Sequence, residues 1–302
     1  MSIIEAALKK SEDGKKQQKK RLESSGDDRH IVDVGGLGLP QKQGEEHIYG
    51  TAIDAGTTPP LGSRPAIHID WEKLRTAGFI TNLDANSKLS EEFRSIKRPL
   101  VMNAFVQGEE RVNRSNLILI TSSVPGEGKT FAAMNLALSI ANERDKKVLL
   151  IDADLAKPSI SKRLGIKGSP GLIEYLEGKA NFSEVVTKTD LTGLRVITAG
   201  QKHRFSTELL ASDKMQQLCD ELSQRYTDRI VIFDSPPLLA ATQAEVLAGL
   251  VGQVVLVVAA EQTSQSDIKT AAEKLQGSEL VLALLNKSKS DFTPYRYGTY
   301  GS

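Results

Sequence analysis

The sequence predicts a doubly wound α/β domain, a mostly parallel sheet with helices on both faces. Two observations predict it. Six short runs are apolar but for Arg195: Leu117 to Ile120, Val148 to Ile151, Leu194 to Ile197, Ile230 to Phe233, Val254 to Val258 and Leu280 to Leu285. Helical patterns at about 131 to 143, 213 to 226, 242 to 249 and 265 to 275 separate several of them. Strands that carry no polar face must be covered on both sides, and helices between them supply the cover.

Ahead of this domain the chain has a different texture. Ser2-Ile3-Ile4-Glu5 matches a capping box, and Ile3, Ile4, Ala7 and Leu8 share a helical face, so a short amphipathic helix is expected. The basic run from Lys9 to Arg21 follows it, and segment 1–23 reads either as a docking element for an anionic surface or partner or as a solvated terminus. Gly35-Gly36, Pro40, Pro59-Pro60 and Pro65 break up residues 24–69, a flexible linker by composition. The domain is expected over 70–288. Asp70 can cap a short helix carrying Trp71 and Leu74 that stops at Gly78, and Ser90 can cap a second one through Phe93, Ile96 and Leu100, which Pro99 should kink or end. Residues 289–302 form a tail with Tyr295, Tyr297 and Tyr300.

Composition removes several classes of function. Lys and Arg number 39 and Asp and Glu 38 in 302 residues, so a net charge of +1 gives no reason to expect a nucleic-acid partner. The single cysteine, Cys219, forms no internal disulfide and no four-ligand cluster, and reads as a small core residue of a helix in a reduced cytoplasmic protein. The longest apolar stretch, Val254 to Ala260, is far below the ~18 residues of a membrane span.

Strand Leu117 to Ile120 leads into Ser122-Ser123-Val124-Pro125-Gly126-Glu127-Gly128-Lys129-Thr130 and then a helix, the setting a phosphate-binding P-loop requires. Gly126 and Gly128 let backbone N–H groups turn toward a phosphate, and the helix start adds its positive dipole end. Candidate nucleotide contacts are Ser123, Val124, Pro125, Gly126, Glu127, Gly128, Lys129, Thr130 and Phe131, with Asn286 at the end of the last strand facing an adenine edge. Lys129 would neutralise phosphate charge and Thr130 would bind Mg²⁺. The strict motif begins with Gly where this chain has Ser123. Two further strands end in acids, at Asp152-Ala153-Asp154 and at Asp234-Ser235-Pro236-Pro237. Carboxylates converging on a P-loop repel one another unless a cation sits among them, as Mg²⁺ with ATP would. Asp152 and Asp234 are therefore the metal candidates, and Asp154 is placed to take a hydroxyl proton.

These motifs together, with the tyrosine-rich tail, resemble the bacterial protein-tyrosine kinases over roughly residues 88 to 302. Glu91-Glu92-Phe93-Arg94-Ser95-Ile96-Lys97-Arg98-Pro99, Ala199-Gly200 and Thr207-Glu208-Leu209-Leu210 look closest to the exosortase-associated autokinases of polysaccharide export. The resemblance implies a P-loop NTPase fold, ATP and Mg²⁺ as cofactors, and phosphorylation of Tyr295, Tyr297 and Tyr300 in trans, in service of exopolysaccharide synthesis and export. It implies that Lys129, Asp152 and Asp154 are catalytic and that Thr130, Asp152 and Asp234 hold the metal. It also implies ring assembly through an E-x-x-R-x-x-R segment, here Glu91, Arg94 and Lys97 on one helical face with Arg98 beside them. Lys97 departs from that pattern, as does Ala156 in the second acidic motif, where Arg is common. The implied partners are further copies of the chain, an inner-membrane chain-length or export protein as activator and a phosphotyrosine phosphatase, with the kinase cytoplasmic and peripheral to that membrane.

The nearest alternative is an ATPase switch of the partitioning and site-positioning type. Those proteins carry a signature lysine where this chain has Val124, and they lack a tyrosine tail. A GTPase fits less well, because Asn286-Lys287-Ser288-Lys289 lacks the aspartate that reads guanine.

Overall fold

The computed structural model describes residues 66–81, 87–106, 108, 111–226 and 228–289. All lie in the second of the chain's two compact units, 56–302. The expected segment 1–23, most of the linker and the three tail tyrosines lie outside the described residues. The order begins with α1 (Trp71–Thr76), α2 (Lys88–Ala104), β1 (Leu117–Ser122), α3 (Lys129–Ala141) and β2 (Lys147–Asp152). Three short helices follow, α4 (Ile160–Leu164), α5 (Leu172–Leu176) and α6 (Phe182–Val185), then β3 (Thr187–Lys188), β4 (Leu194–Ile197) and α7 (Ser206–Leu210). The chain continues through α8 (Asp213–Arg225), β5 (Arg229–Asp234), α9 (Thr242–Ala248), β6 (Gln253–Ala259), α10 (Gln265–Lys274) and β7 (Leu280–Asn286).

The strands form one sheet in the order β3-β4-β2-β5-β1-β6-β7. Every pairing is parallel except that of β3 with β4. All six expected strands are present. The seventh, β3, is a two-residue edge of Thr and Lys with no apolar run to betray it. Helices α4 to α7 span only four or five residues each, too few for a 3.6-residue period to emerge.

Alternation along the inner strand β1 divides the core. Leu117 and Leu119 face the cluster built on α8 by Met215, Leu218 and Leu222, whereas Ile118 and Ile120 face α3 and α2. Helix α3 shows no polar stripe because both of its sides are covered, and its small Ala132, Ala133 and Ala137 let it lie close on the sheet. Cys219 is buried in α8, and burial pushes its thiol up to about 12, so it is an inert core group.

Two boundaries differ from expectation. The cap of α2 is Ser87, whose side chain accepts the Ser90 N–H, and the helix runs through Pro99 to Ala104. Proline costs one backbone bond there, but Leu100 and Ala104 beyond it are buried, and their packing keeps the helix going. Residues 66–69, placed in the linker by composition, belong to the domain: Ile67 bridges to Thr189 and Ile69 is wholly buried.

Candidate active site

Parallel pairing brings three loops to the carboxyl edge of β1, β2 and β5. Asp152 and Asp234 are register partners on β2 and β5, and Ile120 on β1 pairs with Asp234. The P-loop therefore opens beside both acids. Its turn depends on two left-handed glycines, Gly126 at φ +91° and Gly128 at φ +96°. Gly128 caps α3, and a side chain there would place Cβ only 2.1 Å from Asn286 Nδ2, so the position admits glycine alone. The base of the loop is fastened to the segment after β5, where Leu238 N donates to Ser122 O at 2.8 Å and Leu239 N to Ser123 O at 3.1 Å. Ser122 Oγ donates to Val124 O at 3.0 Å. Ser123 Oγ is buried with no hydrogen-bond partner.

Each of the three acids has a different environment. Asp154 is 4% exposed; its Oδ2 accepts from Lys129 Nζ at 2.8 Å and its Oδ1 from the Lys157 N–H at 3.0 Å. Asp152 uses Oδ2 to accept the N–H groups of Ser159 and Ile160, both at 3.0 Å, and leaves Oδ1 without a partner. Asp234 is wholly buried and neither oxygen is bonded. Burial, then the neighbouring Asp234, pushes the Asp152 carboxyl up to about 7, against the two backbone donors. Burial pushes Asp234 up to about 6, with Lys129 and the nearby Thr130 hydroxyl opposing it, although no oxygen of Asp234 meets normal hydrogen-bond geometry. Two buried carboxyls with three orphaned oxygens, beside a lysine and a threonine hydroxyl, are suited to hold a hydrated cation and an anion together.

Other expected site residues are placed differently. The Phe131 ring packs against Phe79 and Phe93, at centroid distances of 5.3 and 6.3 Å, so it belongs to the core side of α3 and does not face the loop. Asn286 turns its amide to the P-loop, donating from Nδ2 to Glu127 O at 2.8 Å. Glu91 and Arg94 pair on the exposed face of α2, and Arg98 is exposed. Lys97 does not join them: it is 7% exposed, with Nζ 2.7 Å from both Ser139 O and a Glu143 carboxylate oxygen. The reason is helical arithmetic, since position i+6 lies about 120° around the helix from position i. Lys97 thus caps the carboxyl end of α3 from within. Lys97→Ala is expected to cost roughly 2 kcal/mol in thermal unfolding, while Arg98→Ala leaves the midpoint within about 1 °C.

Sequence reasoning missed Thr263, which approaches the P-loop from the turn after β6 and donates its hydroxyl to Glu127 Oε1. A lone threonine in a polar turn carries no signal until the fold brings it across 136 positions. The backbone donors of Ser159 and Ile160 to Asp152 were equally invisible, because side-chain identity does not encode them.

A family model described as an AAA domain matches residues 115–281. EpsB of Ralstonia nicotianae is 34% identical over 273 residues, 89% of this chain and 34% of that protein. Tyrosine-protein kinase YwqD of Bacillus subtilis is 34% identical over 225 residues, 74% of this chain and 91% of that one. The chain thus spans about a third of one relative and nearly all of the other. Among solved structures, the kinase domain of Escherichia coli tyrosine kinase ETK superposes with a TM-score of 0.61 at 32% identity, over 72% of this chain and 85% of that one.

Proposed function

The chain belongs to the family of bacterial tyrosine-protein kinases, and from that premise we propose that it transfers the γ-phosphoryl group of ATP to Tyr295, Tyr297 and Tyr300 of neighbouring copies. The observation that carries the proposal is the pair Asp152 and Asp234, buried side by side with three unbonded oxygens at the mouth of a P-loop. Among the described residues no group of three or more His, Cys, Asp or Glu side chains forms a metal cage. Mg²⁺ takes only one or two carboxylates and fills its octahedron with phosphate and water. Thr130, Asp152 and Asp234 are the residues that would hold it, and its chemistry there is neutralisation of charge on the phosphate oxygens.

The chain's own groups do the rest. Lys129 is held by Asp154 in this structure, so a bound triphosphate competes for the same ammonium. Once Lys129 turns to phosphate, Asp154 is freed to accept the phenolic proton as the tyrosine oxygen bonds to the γ-phosphorus and the bond to the β-phosphate oxygen breaks, releasing ADP. The Lys129–Asp154 pair thereby makes the base available only when nucleotide has arrived. Among the described residues no helix is long and apolar enough to cross a membrane. We place the kinase at the inner membrane through a separate chain-length or export protein that activates it, with a phosphotyrosine phosphatase reversing its action, in control of exopolysaccharide synthesis. Exposed Glu91, Arg94 and Arg98 on α2 are the surface for assembly into a ring.

Mass spectrometry of the C-terminal peptide after expression tests this. Phosphate is expected on at least one of Tyr295, Tyr297 and Tyr300, and Asp154→Ala should lower its rate of appearance by about 10²-fold or more. ATP hydrolysis with no phosphotyrosine would instead identify a nucleotide switch.

A further inference from the structure

One of the P-loop's own carboxylates braces it. Glu127 is 2% exposed, and its Oε2 accepts the Val124 N–H at 2.7 Å. Its Oε1 accepts the hydroxyl of Thr263 in a short hydrogen bond, and that hydroxyl oxygen in turn accepts the Ala259 N–H at 3.1 Å. The backbone carbonyl of Glu127 accepts from Asn286 Nδ2, and the carbonyl of Asn286 accepts the Ala260 N–H, both at 2.8 Å. One loop residue therefore joins the ends of β6 and β7 to the phosphate-binding turn. Two non-glycine residues in this junction, Glu261 at φ 60° and Lys287 at φ 59°, hold left-handed backbone, which persists only where surrounding bonds fix it.

A carboxylate inside a loop that binds triphosphate repels its ligand, so its presence needs a compensating role. Both of its oxygens are engaged, which leaves it unsuited to bind metal or to move a proton. We propose that Thr263 and Glu127 form a positioning latch for the nucleotide. The Thr263 hydroxyl orients the Glu127 carboxylate, which fixes the turn from Val124 to Gly128 in its phosphate-binding shape and couples it to the loop after β6. The latch rests on the reading of this loop as an ATP site. Thr263 acts through Glu127 and touches no reacting atom.

Thr263→Val keeps the side chain's size and leaves one buried carboxylate oxygen without its donor. Its apparent KM for magnesium ATP is expected to rise about tenfold, with kcat within about twofold, since a hydrogen bond to a charged group is lost. Thr263→Ser should restore the KM, which a purely steric role would not allow. In a Glu127→Ala background, which has no side-chain oxygen for Thr263 to orient, the same Thr263→Val change should move the KM by less than about twofold. If Thr263→Val does not fold, Thr263→Ala removes the same hydroxyl and is read in the same way. An unchanged KM in the hydroxyl-less variant, or an equal loss in both backgrounds, would overturn the latch. A wild-type chain that binds no ATP would overturn the nucleotide reading itself.

Discussion

Lys129→Met should lower the rate of tail phosphorylation by about 10³-fold or more while the sheet remains folded. Phosphoryl transfer depends on positioning and charge neutralisation, and in the proposed mechanism Lys129 leaves Asp154 to neutralise the phosphates. Removing it has a second consequence that can be separated from the first. Its partner Asp154 is buried, so the variant leaves a carboxylate out of water with only the Lys157 N–H as donor. That should cost up to about 3 kcal/mol of stability. Adding Asp154→Asn removes the uncompensated charge and should recover most of the unfolding midpoint without recovering any activity. The measurements are phosphotyrosine by mass spectrometry and thermal unfolding by circular dichroism. Full tail phosphorylation in Lys129→Met would refute the kinase assignment of this site.

Asp234→Asn should abolish phosphorylation and yet make the nucleotide-free protein more stable at pH 8. The sign follows from the direction of the shift. Asp234 titrates at about 6 in the folded chain, above the ordinary carboxylate value of 3.8, so the folded state holds its proton more tightly than the unfolded state does. Below about pH 4 both states are protonated and the group contributes nothing. Between about pH 4 and 6 its destabilising contribution grows, and above 6 it levels off at an order of 3 kcal/mol. A neutral amide removes that cost, which for a domain of this size corresponds to a gain of roughly 6–12 °C in the midpoint. The gain should shrink at pH 5 and vanish near pH 4. A midpoint at pH 8 equal to or below that of the wild type would show that Asp234 is not held as a strained charge. Stability given up at a buried, uncompensated carboxyl is the expected signature of a residue kept for chemistry and not for folding.

How much of this was legible in the sequence depended on distance along the chain. The P-loop was, because strand, glycine turn, Lys129 and helix start all lie within about 14 consecutive positions and each element has its own local signal. The strand-end acids Asp152 and Asp234 were legible as candidates, since each closes an apolar run. Their partnership was not, because it requires β2 and β5 to pair in one register across 82 positions. Lys97 shows a different limit. Its place in a motif pointed outward, but the geometry of α2 turns it under the end of α3, where Ser139 and Glu143 take its charge. Pro99 likewise marked a helix end that burial of Leu100 and Ala104 overrode.

The amino-acid sequence alone determined the layered α/β architecture, the phosphate-binding loop and the identity of the three acids. Those properties reside in short-range patterns of apolar runs, glycines and charge. Only the tertiary structure decided which oxygens stay unbonded, that Lys129 rests on Asp154, and that Thr263 reaches Glu127 from the end of the neighbouring strand β6. Each of these is set by strand register and side-chain burial, which depend on contacts between residues far apart in the chain and leave no local trace.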